Sequence, residues 1–342
     1  MAKAKEIEGL DCGAGAARGM WLVLSTRLEE MCEQRAAVLG PEGEEGVHDM
    51  RVASRRLRSV LRDFRPHMRG GRRLEAAREE LKQLAAELGA VRDEDVAIHA
   101  LEKLKEEAPE SAARGLELFA EERRRRRESE QAELARALEL ESFESFRRRV
   151  ARAFEKATAP KESKGDVEKV KGGEKGAGGS SEGGGAGEGS EQSFGELGLE
   201  IIARSWEELQ ARGPDIYRPL KSKRLHKLRI RAKRLRYALE LFAACHGEAL
   251  RELAHELARL QTALGELHDC DGWVEECGKY LSERGDTEEA SPSDADADAR
   301  REAAFWLLEH FAEERARHYA EALEIWRGWE REDLKARMKG KQ

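Results

Sequence analysis

Proline, aromatic residues and long apolar runs are all scarce in this chain. Seven prolines in 342 residues leave room for long uninterrupted helices, and aromatics account for only 6%. Long β-branched runs are absent, while Ala, Leu, Glu and Arg, all strong helix formers, dominate. The expected fold class is therefore all-α. No apolar run approaches the roughly 18 residues a membrane span needs. The opening "MAKAKEIEGLDCGAGAARG" has no apolar signal-peptide core. These two absences lead to the expectation of a cytoplasmic protein with no membrane partner.

Cysteine is also sparse. Cys12, Cys32, Cys245, Cys270 and Cys277 are odd in number, scattered, and include no C-x-x-C pair. The expectation is a chain without a disulfide framework, as in a reducing compartment. "LHDCD" (267–271) brings His268, Asp269 and Cys270 together, but a zinc site needs about four ligands, and no second cluster accompanies it. No metal and no cofactor is expected, and the stretch reads as structural.

What is abundant is charge, at 38% of residues, with a formal net charge of −7. From Pro160 to Ser193 periodicity disappears: 11 of these 34 residues are Gly and 5 are Ser. Such a stretch cannot bury enough surface to offset ordering entropy and reads as a disordered linker. It separates residues 1–159 from residues 194–342. A second polar insertion, 284–299, reads as a loop between helices.

The two flanking segments resemble each other. "VHDMRVASRRLRSVLRDF" (47–64) set over "LHKLRIRAKRLRYALELF" (225–242) gives seven identities in 18 positions. The leucine stripe Leu74, Ala77, Leu81, Leu84 and Leu88 recurs as Leu250, Leu253, Leu257, Leu260 and Leu264, the spacing of one buried helix face. Each stripe runs into a matching stretch, "LGAVRDEDV" (88–96) and "LGELHDCDG" (264–272), read as a helix break whose Asp93, Asp95, Asp269 and Asp271 cap the next helix and pair with arginines. "FAEER" occurs at 119–123 and again at 311–315. Four landmarks in one order indicate internal duplication and two related helical bundles. In each half a closing helix carries aromatics: Phe143, Phe146 and Phe154 in one, Trp326 and Trp329 in the other.

On a helix at 100° per residue, Met50, Ala53, Leu57, Val60, Leu61 and Phe64 share one arc and point inward. His48, Arg51, Arg55, Arg58 and Arg62 share another. The second copy turns Leu228, Leu235, Ala238, Leu239 and Phe242 inward and presents His226, Arg229, Lys233 and Arg236; Glu240 replaces the counterpart of Arg62. Five Arg against two Asp give residues 47–64 a charge of +3, and six Lys or Arg against one Glu give 225–242 +5. Like charges stacked on one face destabilise a helix, so something outside it must balance them. A single basic face is usually solvated; its recurrence in both copies of an acidic protein points instead to a polyanion. Arginine forks suit phosphate. Apart from Tyr237 the stripes hold no aromatic to stack on a base, so a bare phosphate chain fits better than single-stranded nucleic acid. The run "ERRRRRESE" (122–130) reads as a solvated face.

The pattern H-x-x-R-[VI]-x-x-[RK]-R-L-R-x-x-L-x-x-F, present as His48 to Phe64 and His226 to Phe242, resembles the CHAD (conserved histidine α-helical domain) family, and the "LGAVRDEDV" and "LGELHDCDG" stretches resemble its second landmark. The resemblance implies two bundles with pseudo-twofold symmetry around a basic groove or pore. It also implies non-catalytic binding of inorganic polyphosphate, often at polyphosphate granules. The contacts it implies are His48, Arg51, Arg55, Arg58, Arg62, His226, Arg229, Lys233 and Arg236, with Arg56, Lys227, Arg231 and Arg234 as secondary ones. The E-x-E-x-K motif of the triphosphate-tunnel enzymes that accompany many relatives is absent, so no catalytic residue is expected. A nucleic-acid-binding helical protein and, behind it, a phosphohydrolase of phosphate polymers are the alternatives.

Overall fold

A computed structural model describes residues 4–41, 43–159, 192–285 and 295–331. The described residues form helices and no sheet. The first half comprises α1 (Ala16–Glu33), the single-turn α2 (Arg35–Val38), α3 (Gly43–Phe64), α4 (Arg72–Glu107), α5 (Glu110–Ala137) and α6 (Leu140–Thr158). The second comprises α7 (Phe194–Gln210), α8 (Ser222–His246), α9 (Glu248–Gly285) and α10 (Ala295–Arg331).

The inward arcs expected on α3 and α8 are buried as read, and so are the stripes of α4 and α9 except Leu250, which is half-buried. These faces join α1, α6, α7 and the end of α10 in one apolar core that runs through both halves. At its centre Phe64 and Phe242, which close the two basic helices, meet Phe194 in a trio with ring centroids 5.1 to 6.5 Å apart. The fit is close enough that a Cβ on Gly19 would lie 2.2 Å from Phe194, and one on Gly198 would lie 2.4 Å from Phe242. The far parts of α4, α5, α9 and α10 enclose a smaller second core around Leu101, Leu116, Leu307 and Phe311.

Across the centre three helices pack on their sequence counterparts: α1 on α7, α3 on α8, α5 on α10. Ion pairs are repeated as well. Arg56 reaches Glu30 at 2.7 Å, and its counterpart Arg234 approaches Glu208 at 3.6 Å. Asp95 pairs with Arg127 at 2.8 Å, and Asp271 with Arg315 at 2.6 Å. The two halves thus repeat several of the same contacts.

Several expectations are corrected. The glycine–aspartate stretches are not breaks: α4 and α9 run straight through them for 36 and 38 residues. Their aspartates therefore cap nothing, while the expected pairing with arginine is present at Asp95 and Asp271, which anchor α5 and α10. In the second half the charged and aromatic helices are one continuous element, α10. The repeated "FAEER" is out of register by one turn, because Arg127, not Arg123, occupies the place of Arg315. The run at 122–130 is accordingly only partly solvated, with Arg123 reaching Glu94 at 3.2 Å and also pairing with Glu276.

Cys12 and Cys245 form a disulfide with a Cα–Cα distance of 5.5 Å, against the expectation of none. The pairing was illegible because 233 residues separate them. They meet because the segment before α1 lies along the start of α7, where Phe194 and Gly195 donate backbone hydrogen bonds to Ala14 and Cys12. Ser193, assigned to the linker, is the N-cap of α7 in a reciprocal capping box with Glu196. The rest of that stretch, 160–191, and most of the expected loop, 286–294, lie outside the described residues.

Candidate anion-binding site

The α3–α8 contact brings the two basic stripes together. Their apolar faces are spent on the core, so the stripes are left on the same side of the crossing. The cations separate into those that have acidic partners and those that do not.

Among the described residues Arg55, Arg58, Arg229 and Lys233 make no ion pair. Burial holds the Arg55 guanidinium pKa below the usual arginine range, and partial desolvation does the same for the more exposed Arg58. The Nε atoms of Arg55 and Arg229 are buried without a hydrogen-bond acceptor. Arg229 packs along α9, its guanidinium 3.6 Å from where a Cβ on Gly265 would stand. Asp269 is near enough to interact with Arg229 electrostatically without pairing. Burial, followed by the fields of Arg55, Arg229, Arg51 and Arg236, pulls the Lys233 amine down to about 7.

Tyr237 lies beneath three of these cations: Arg236 at 4.6 Å, Arg55 at 5.9 Å and Lys233 at 6.0 Å from its ring centroid. Its face offers partial negative charge where no carboxylate does. A pocket of about 460 Å³ opens here between α3, α4 and α8, with Arg55, Arg58, Arg62, Lys233, Arg234 and Tyr237 on its walls. Glu75 and Glu79 also border it, but they are engaged by Arg65, Arg78 and Lys82.

Along α8 the cluster continues through His226, whose ring lies 4.3 Å from that of His268 on α9. Burial, His268, Arg229 and Lys233 lower the His226 pKa, and burial and Arg229 lower that of His268. His268 went unread as a binding residue, although it stands at the counterpart of Arg92 and so in a basic position of the repeated landmark. His48 sits apart. It faces a recess formed with Pro41, Glu44, Glu45 and Arg92, and burial and Arg92 lower its pKa.

The remaining expected contacts are already engaged. Arg51 reaches the exposed Asp93 at 3.2 Å. Arg62 folds back on Asp63 and Ser59. Arg236 is buried, donating to Gln261 at 2.8 Å and to Glu240. Of the secondary set, Arg56 is paired with Glu30, and Arg231 and Arg234 both approach Glu208. Lys227 is exposed. The residues of "LHDCD" diverge: His268 faces His226, Cys270 enters the second core, and Asp271 holds Arg315. Among the described residues no group of three His, Cys, Asp or Glu side chains is arranged to hold a metal ion.

The all-α architecture, with its two repeated basic helices packed on each other, belongs to a recognisable class. The CHAD domain family model matches residues 22–278, and the chain belongs to that family. Among solved structures it is similar to the CHAD domain from the plant Ricinus communis, with 22% identity over 94% of each chain and a TM-score of 0.68. It is also similar to PptA from Streptomyces chartreusis, with 14% identity over 92% of this chain and 100% of that one, and a TM-score of 0.61. No curated protein matches it. No described helix is long and apolar enough to cross a membrane.

Proposed function

We propose that this chain binds inorganic polyphosphate, without transforming it, in the cleft where α3 and α8 cross. The observation that carries this reading is the set of partnerless cations, Arg55, Arg58, Arg229 and Lys233, beside the His226–His268 pair. Removing charge from water without a counter-ion is costly, and a phosphate chain repays it with several charge-assisted hydrogen bonds. The main contacts are Arg55, Arg58, Arg229, Lys233 and His226, with His268 added. Arg51, Arg62 and Arg236 contribute once the polymer competes with their acids, and His48 extends the site at one end. Where the polymer is stored as granules, this binding would carry the chain to them.

Labelled long-chain polyphosphate and equilibrium binding test the proposal. Affinity is expected to fall steeply with salt and to drop in the Arg55→Glu, Arg229→Glu double variant. Duplex DNA or RNA that displaces polyphosphate at equal phosphate concentration would instead support a general nucleic-acid site. Metal-dependent release of phosphate by the pure protein would refute the non-catalytic part.

A further inference from the structure

We propose that Lys233 is a protein acylation site whose acyl donor is an acyl phosphate, and that acylation there turns down anion binding. The inference rests on the phosphate-binding reading of the cleft and adds a reaction to it. Lys233 lines the pocket of about 460 Å³ together with Arg55, Arg58 and Arg234. Its amine makes no ion pair with a carboxylate, and its Nζ lies 6.0 Å from the centroid of the Tyr237 ring. A small acyl phosphate fits in that space, its phosphate drawn to the guanidinium groups and its carbonyl carbon left beside the amine.

The chemistry balances without a further reagent. The neutral amine attacks the carbonyl carbon, the C–N bond forms, and the bond from that carbon to the phosphate oxygen breaks. Phosphate leaves with the electron pair, and the proton lost by nitrogen goes to it. An amine with a pKa of about 7 is about half free base at neutral pH, and the free base is the state a nucleophilic lysine needs. The amide formed is neutral and cannot take up the proton that a bound anion would favour on the amine, so the pocket loses one of its cations.

The test uses the full chain with acetyl phosphate near neutral pH, and peptide mass spectrometry to follow acetylation at each lysine. Lys227, exposed on the same helix, is the internal control. Lys233 is expected to be acetylated about tenfold or more faster than Lys227. That advantage is expected to shrink with N-hydroxysuccinimidyl acetate, which carries no phosphate, and pyrophosphate is expected to protect Lys233. Equal rates at the two lysines, or the same preference with both reagents, overturns the inference. Selective acetylation by acetyl phosphate that long-chain polyphosphate fails to block would keep the inference and remove the polyphosphate reading.

Discussion

On α8 the stripe residues Arg229 and Lys233 have no acid at ion-pair distance, and His226 leans on a second histidine. On α3 the same positions are partly compensated: Arg51 reaches Asp93, and His48 opens on a recess that includes Glu44 and Glu45. One turn on, the balance reverses. Arg58 is exposed and unpaired, whereas its counterpart Arg236 is buried against Gln261 and Glu240. The two halves share the cores, the arginine–carboxylate pairs and the packing of the basic helices on each other. The acid is kept but not its pairing: Asp93 meets Arg51, whereas its counterpart Asp269 acts on Arg229 only at longer range, and Glu240 stands where Arg62 does on α3. Which cations can meet a ligand is therefore decided by neighbours outside the stripe, and the cleft is symmetric in backbone but not in charge.

The largest effect expected follows from that asymmetry. Replacing Arg229 by Gln removes an uncompensated guanidinium, and charge-assisted hydrogen bonds are worth roughly 1.5–3 kcal/mol each, or about tenfold to a hundredfold in polyphosphate affinity. Arg51→Gln removes a cation already shared with Asp93, and the expected loss is less than about fivefold. Equal losses measured by titration would break the comparison and return the site to true twofold symmetry.

The disulfide tests whether the halves depend on each other outside the cleft. Cys12 precedes α1 and Cys245 closes α8, so the bond ties the first half to the second. Cys12→Ser with Cys245→Ser is expected to lower unfolding stability by roughly 2–4 kcal/mol, read from denaturant melts, while changing affinity less than about twofold. A larger loss of affinity would mean that the tie also sets the α3–α8 crossing. Cys32 is a poor replacement partner, because burial pushes its thiol up to about 12.

Much of the fold could be read from periodicity, because a buried stripe at helical spacing is a local property. The inward faces of α3, α4, α8 and α9 were legible for that reason. What could not be read depended on partners far along the chain. Arg56 and Arg234 stand inside the basic motif, yet their partners Glu30 and Glu208 lie one helix away. Arg236 shares its arc with Lys233, but Gln261 on α9 and Glu240 engage it and it is buried. Gly89 and Gly265 suggested helix ends; packing outweighs the modest helix cost of a single glycine, so α4 and α9 continue. The disulfide had no local signal at all.

Lys233 sharpens the comparison from the side of stability. Its folded-state pKa of about 7 lies below the ordinary value of 10.5, so the unfolded chain binds the extra proton between those values. Stability therefore rises with pH across that window, and the burial cost is fully present below pH 7. Lys233 keeps part of its surface in water, so Lys233→Met is expected to gain only about 1–2 kcal/mol near pH 6. The gain should fade towards pH 10 while polyphosphate affinity drops throughout. The matching change on α3, Arg55→Met, lacks this pH signature because arginine does not titrate there. A pH-independent gain at Lys233 would show that its amine is neutralised by a partner.

The smallest effect separates the two histidines for which the family is named. In the free protein both pKa values lie below 6.5, so neither imidazole carries a full charge at neutral pH. His226 faces His268, Arg229 and Lys233, and a bound polyanion offsets all of these cations, so its pKa rises on binding and affinity grows as pH falls. His48 faces Arg92 and Arg55, but Asp49 already favours its charged form. Between pH 8 and 6, His226→Gln is expected to remove about threefold of the acid enhancement and His48→Gln less. The residual slope belongs to His268 and Lys233, which take up protons over the same range. Proton uptake read by calorimetry in buffers of different ionisation enthalpy checks the assignment: if His48→Gln reduces uptake as much as His226→Gln, the two halves contribute alike and the charge asymmetry has no bearing on binding.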